Sequence, residues 1–184
     1  MKILILIFLI LINFYSISYG SVKQDIILNL KNINNITFNF KQTINDKTDE
    51  GLCIIKYPRK IFCEYDNIKK KIIISNGKSL VIKNQSNNQY YRYKLESTPL
   101  ILILDKSALI ERIFKNEFEL VEEKYIKFSI KNNNNIINVF FDKNSYNLIG
   151  WQTEDLYQNL IITFIYNLKK NENIDEKIFK LPEL

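Results

Sequence analysis

The stretch Gly51-Leu52-Cys53-Ile54-Ile55-Lys56-Tyr57-Pro58-Arg59-Lys60-Ile61-Phe62-Cys63-Glu64-Tyr65 decides the fold. Both of its flanks are rich in residues that favour strands, and Pro58 with its neighbours suits a turn but not a ladder. The stretch reads as a β-hairpin. Cys53 and Cys63 flank Pro58 symmetrically, so a turn centred there sets them opposite each other on one face. With Glu64 pointing outward, Ile61, Cys63 and Tyr65 point inward, and the register adds Cys53, Ile55 and Tyr57 to that face.

The same pattern extends in both directions. Upstream, Ile36, Phe38 and Phe40 alternate with Thr37, Asn39 and Lys41, a strand with one apolar side. Downstream, residues 72–75 lead into Asn76-Gly77, the pair best suited to a tight hairpin turn, and residues 80–82 return from it. Further strand-like runs fall at 90–94, 118–122, 125–130, 136–141, 148–153 and 160–166, with polar turns between them, as in an antiparallel meander. In residues 160–166 both faces are apolar, so parity leaves open which set turns inward. Two segments break the pattern. Ile26, Ile27, Leu30 and Ile33 recur at helical spacing within residues 22–34, and Thr98-Pro99 has the cap and first-turn proline of a helix start, followed by short helices at 100–104 and 108–114. The expected fold is mostly β, about ten strands in one domain, with the short helices as a lid over the apolar face.

The first twenty residues have the layout of an export signal: Met1-Lys2, an apolar run over residues 3–12, then Ser18-Tyr19-Gly20, with cleavage expected before Ser21. The apolar run is shorter than the roughly 20 residues that span a bilayer. What remains, residues 21–184, suits a single domain. The first cysteine is Cys53, so no lipid-attachment cysteine follows the signal. Lys and Arg number 26 against 20 acids. The lysines are scattered, apart from Lys69-Lys70-Lys71, and export separates the chain from nucleic acid, so an acidic partner or an anionic membrane surface is the better match.

The residues of common catalytic sites are missing. There is no histidine, and two cysteines alone do not build an ordinary zinc site. The glycines, at 20, 51, 77 and 150, are too dispersed for a phosphate loop. Glu122-Glu123 and Glu154-Asp155 are adjacent carboxylates, which point to opposite faces of a strand and read as solvated turn or edge positions. No enzyme, metal or cofactor is expected. For Cys53 and Cys63 an oxidising compartment favours a structural disulfide over two buried thiols, and Cys-x-x-Cys redox spacing is absent.

Several segments, in this order, resemble the family of outer-membrane lipoprotein carriers (LolA): Phe40-Lys41-Gln42; Gly51 through Tyr57-Pro58 to Tyr65; Ile74-Ser75-Asn76-Gly77-Lys78-Ser79-Leu80; Tyr93 and Leu95 before Ser97-Thr98-Pro99-Leu100; and Leu148-Ile149-Gly150-Trp151 with Asp155 and Asn167. The resemblance implies an unclosed antiparallel β-barrel covered by helices around an apolar cavity. It implies a periplasmic chaperone that takes lipidated lipoproteins from an inner-membrane ABC-type release complex and delivers them to an outer-membrane receptor. That receptor is itself lipid-anchored, so the missing cysteine favours the soluble carrier, acting as a monomer. Members of the family often hold their lid with an arginine just before the hairpin proline. Here that position is Tyr57, which leaves Arg59, Lys60 or the Tyr57 hydroxyl as candidates for the lock.

The expected acyl-chain wall is Ile36, Phe38, Phe40, Ile55, Tyr57, Ile61, Tyr65 and Trp151, with Leu100, Ile101 and Leu104 as lid contacts. The plain alternative for each is an ordinary core residue. Two other functions compete: a carrier or sensor of another lipid or glycolipid, and an envelope factor that binds a peptide on its concave sheet.

Overall fold

The computed structural model describes residues 19–87, 89–132, 135–154 and 158–182. Residues 1–18 of the expected signal, which runs to Gly20, lie outside the described residues, as does Asp155.

Eleven antiparallel strands form one unclosed sheet. They are β1 (Asn35–Ile44), β2 (Lys47–Lys56), β3 (Lys60–Tyr65), β4 (Lys71–Asn76), β5 (Ser79–Asn84), β6 (Tyr90–Lys94), β7 (Phe118–Val121), β8 (Tyr125–Asn132), β9 (Asn135–Asp142), β10 (Leu148–Glu154) and β11 (Leu160–Lys170). The spatial order is β6-β5-β4-β3-β2-β1-β11-β10-β9-β8-β7. Every sequential neighbour is therefore paired, except that the chain passes from one edge, β6, to the other, β7, through a helical insertion. The last strand closes on the first: β11 pairs with β1, Phe40 opposite Ile165 and Gln42 opposite Thr163. The count is eleven where the sequence suggests about ten.

The helices are α1 (Tyr19–Lys31), α2 (Ile101–Leu104) and α3 (Lys106–Lys115). Asp105 separates the last two and caps α3 by accepting from the Ala108 N–H at 3.1 Å. Their apolar residues share one core with the inward faces of β1–β3 and β8–β11. Two aromatic contacts bind that core across strands, Phe40 edge-on to Tyr65 with centroids 4.7 Å apart and Phe38 edge-on to Trp151 at 6.4 Å.

Two features lie beyond the sequence reading. Asn45 and Asp46 both adopt positive φ, 44° and 61°, and close a tight β1–β2 hairpin. A 3-10 turn, Glu176–Phe179, returns to β3 and β4, burying Phe179 while Glu176 pairs with Lys56 and with Lys60.

Candidate functional site: an apolar cavity beside a pinned lid

The sheet bends far enough that β1–β6, β10 and β11 all contribute walls to one cavity of about 390 Å³. That size is in the usual range of small-molecule sites. Phe40, Ile61, Leu80, Trp151 and Leu100 give the wall its apolar character, and the Cys53–Cys63 disulfide is part of it. The two cysteines pair directly across β2 and β3 with their Cα atoms 4.1 Å apart, the close spacing of a non-hydrogen-bonded pair.

Gly51, on β2, lies tight against Glu64 and Phe40. A Cβ there would collide with the Glu64 carbonyl and stand 2.8 Å from the Phe40 ring. Only a residue without a side chain leaves Phe40 its place beside β2.

The residues expected at the site separate into two groups. Phe40, Ile61, Tyr65, Trp151 and Leu100 line the cavity. Ile36, Phe38, Ile55, Ile101 and Leu104 do not: they are buried in the common core, where the helices already fill the space over that part of the sheet. Tyr57 also packs against the core and away from the cavity; its N–H donates to Asn34 O at 2.9 Å and its ring lies 5.4 Å from the Lys106 ammonium. Burial raises the Tyr57 hydroxyl above the ordinary tyrosine range. In β11 the cavity receives Ile161 and Thr163, while Leu160, Ile162 and Phe164 are exposed.

A polar band crosses one part of the wall. Tyr65 donates its hydroxyl to Gln42 Oε1 at 2.9 Å, and Gln42 donates from Nε2 to Thr163 Oγ1 at 3.0 Å. Lys71 sits beside them with its ammonium 3.6 Å from the Tyr65 ring centroid. Burial pulls the Lys71 pKa down while Asp49 acts to raise it, and the result is below the ordinary lysine range. Sequence parity could have placed Gln42 here, since the alternation that turns Phe38 and Phe40 inward continues to Gln42 and Ile44.

The lid is fastened by Arg59. Its Nε and Nη2 both donate to Asp105 Oδ2, at 2.9 and 2.7 Å, and Nη1 reaches Glu96 Oε1 at 3.4 Å. The backbone joins in: Arg59 N–H donates to Leu104 O at 2.9 Å, and Arg59 O accepts from Ser75 Oγ at 3.0 Å. Arg59 has φ of 67°, a left-handed conformation uncommon for arginine, and these bonds hold it there. Burial acts to raise the Asp105 pKa, but the Ala108 N–H and the Arg59 guanidinium outweigh it and hold the carboxyl below its ordinary range. Lys60, the other cation beside the turn, is directed instead to Glu176.

Of the adjacent acids, Asp155 lies outside the described residues. Glu122 and Glu123 are exposed in the β7–β8 turn, both at positive φ. Glu154 is exposed at the cavity wall. Among the described residues no group of three or more potential metal ligands occurs.

Residues 31–182 match the family described as outer membrane lipoprotein carrier protein LolA. No curated protein matches the chain. Among solved structures, an uncharacterized conserved protein from Thermus thermophilus superposes with a TM-score of 0.53 at 7% identity, covering 89% of this chain and 94% of its own, which shows a shared fold. A LolA superfamily protein from Nitrosomonas europaea gives 0.45 at 8% identity, over 87% of this chain and 98% of its own.

Proposed function

This chain belongs to the outer membrane lipoprotein carrier protein LolA family, and from that premise we propose that it is a periplasmic carrier whose cavity shields the acyl chains of lipoproteins between two membranes. In this reading residues 1–20 are an export signal, residues 21–184 form the carrier domain, and the partners are an ABC-type release complex and an outer-membrane receptor.

The observation that carries the proposal is an apolar cavity walled by eight strands and bordered at residues 97–100 by the segment that leads into α2. Shielding is necessary because each exposed methylene costs about 0.8 kcal/mol, so a chain of about 15 methylenes left in water costs on the order of 12 kcal/mol. Transport requires only that the cavity compete moderately with a bilayer. No bond is made or broken, and the task needs neither nucleophile nor base.

The test is native mass spectrometry of the mature protein after incubation with inner-membrane vesicles, ATP, the release complex and a triacylated lipoprotein. A one-to-one soluble complex that does not form with the unlipidated lipoprotein supports the proposal. If the lipoprotein stays in the vesicles, the lipoprotein assignment is wrong.

A further inference from the structure

A cation on the wall of an apolar cavity is costly unless something answers it. Lys71 is such a cation, with its side chain only 26% exposed. Its ammonium has three donors. The nearest carboxylate, Asp49 Oδ2, stands 3.6 Å away, beyond the roughly 2.7–2.9 Å of a close charge-assisted hydrogen bond. The Tyr65 ring face supplies the other partner. Asp49 pairs with Lys71 through Oδ2, while its Oδ1 accepts from Asn67 Nδ2 at 3.2 Å.

The surroundings have a matching polarity. Tyr65 keeps its proton, since burial and Asp49 raise its pKa more than the bond to Gln42 lowers it. Thr153 Oγ1 is buried on the wall without a hydrogen-bond partner among the described residues. The other charged residue of the lining, Glu154, is exposed on β10 and separated from Lys71 on β4 by strands β3, β2, β1 and β11.

We propose that the cavity binds an acyl chain that ends in an anion, carboxylate or phosphate, with the anion on Lys71 and the chain against Phe40, Ile61, Leu80 and Trp151. The inference rests on the reading of the cavity as an acyl-chain site and adds a head-group preference. The acyl chains of a lipoprotein anchor are ester- and amide-linked and carry no charge, so they give Lys71 no partner beyond Asp49 and the Tyr65 ring; a fatty-acid anion or an alkyl phosphate adds a close one.

Trp151 is the single tryptophan of the chain and stands in the cavity wall, so its fluorescence reports binding directly. The mature protein is titrated with dodecanol, dodecanoate and dodecyl phosphate, each below its micellar concentration, at low and high salt. The expected result is that at least one anion binds tenfold or more tighter than dodecanol, with the margin shrinking in salt; which anion is tighter separates carboxylate from phosphate recognition. In Lys71→Met the ratio falls to about one, and in Lys71→Arg it persists, with melting curves confirming that both variants fold. Equal binding of all three ligands by the unaltered protein overturns the anion preference and leaves the acyl-chain site standing. Failure of all three to bind overturns both.

Discussion

Removing the disulfide, as Cys53→Ala with Cys63→Ala, tests whether the bridge is a staple and nothing more. The cysteines are 10 residues apart. In the chain-entropy model a loop of that length contributes about 2.7 kcal/mol by restricting the unfolded chain. For a domain of this size, each kcal/mol moves the melting temperature by about 2–4 °C, so the variant should melt about 5–11 °C lower. Chemical reduction of the unaltered protein should produce a similar fall. The assay is thermal unfolding followed by circular dichroism for oxidised, reduced and double-alanine proteins, with Trp151 titrations on each at a temperature where all are folded. Acyl binding should survive in all three, because the bridge lies in the wall but the cavity is also formed by six other strands. A melting shift under about 2 °C would refute the staple, showing that the hairpin is already closed in the unfolded chain. Loss of binding on reduction alone would refute the absence of a redox role.

Arg59→Ala should loosen the lid. Hydrogen exchange of the amides in α2 and α3 is expected to rise at least tenfold with little change elsewhere, and unchanged exchange would show that packing alone holds the lid. Acid should loosen the same region: the Asp105 pKa is lowered by folding, so its contribution is complete above the ordinary aspartate value and is lost as pH falls through the lower folded value. Exchange in α3 measured down through that window should accelerate in the unaltered protein, whereas Asp105→Asn should be fast at neutral pH and show no such step. Gly51→Ala should cost about 3 kcal/mol or more, since the new methyl meets the Glu64 carbonyl backbone; a melting temperature within about 2 °C of the unaltered protein would contradict the packing described for β2 and β3.

How much of this was legible in the sequence depends on whether the signal was local. The Cys53–Cys63 register follows from the symmetry around Pro58, and the Asn76-Gly77 hairpin from its turn chemistry; both appear in the structure. Strand parity placed Phe40, Ile61, Tyr65 and Trp151 on the inner face. It did not distinguish Phe40, on the cavity, from Phe38, two residues away in the core, because that difference is made by helices packed on one part of the face and absent from another. Residues 160–166 were undecidable for a related reason. The pairing of Trp151 with Thr163 sets Thr163 inward and leaves Phe164 in solvent, a choice made by the register. Lys71 was hidden because a lysine at the start of a strand ordinarily reads as solvated, and the ring of Tyr65 with the Asp49 carboxylate makes the inward position tolerable.

The lid itself limits how the proposed carrier can open. All four residues of α2, Ile101, Leu102, Ile103 and Leu104, are buried. Exposing such side chains costs about 1.5–3 kcal/mol each, so lifting α2 fully into water costs on the order of 6–12 kcal/mol. That sum exceeds what one surface-accessible arginine contact can contribute. Apolar burial therefore supplies most of the resistance to lifting α2, and the Arg59 bonds add a smaller share and fix the position in which the lid rests. The lid segment meets the cavity at residues 97–100, ahead of α2. In the proposed carrier a chain that fits the cavity is therefore buried, at about 0.8 kcal/mol per methylene, against the start of the lid, and a longer chain that had to lift α2 would lose much of that gain.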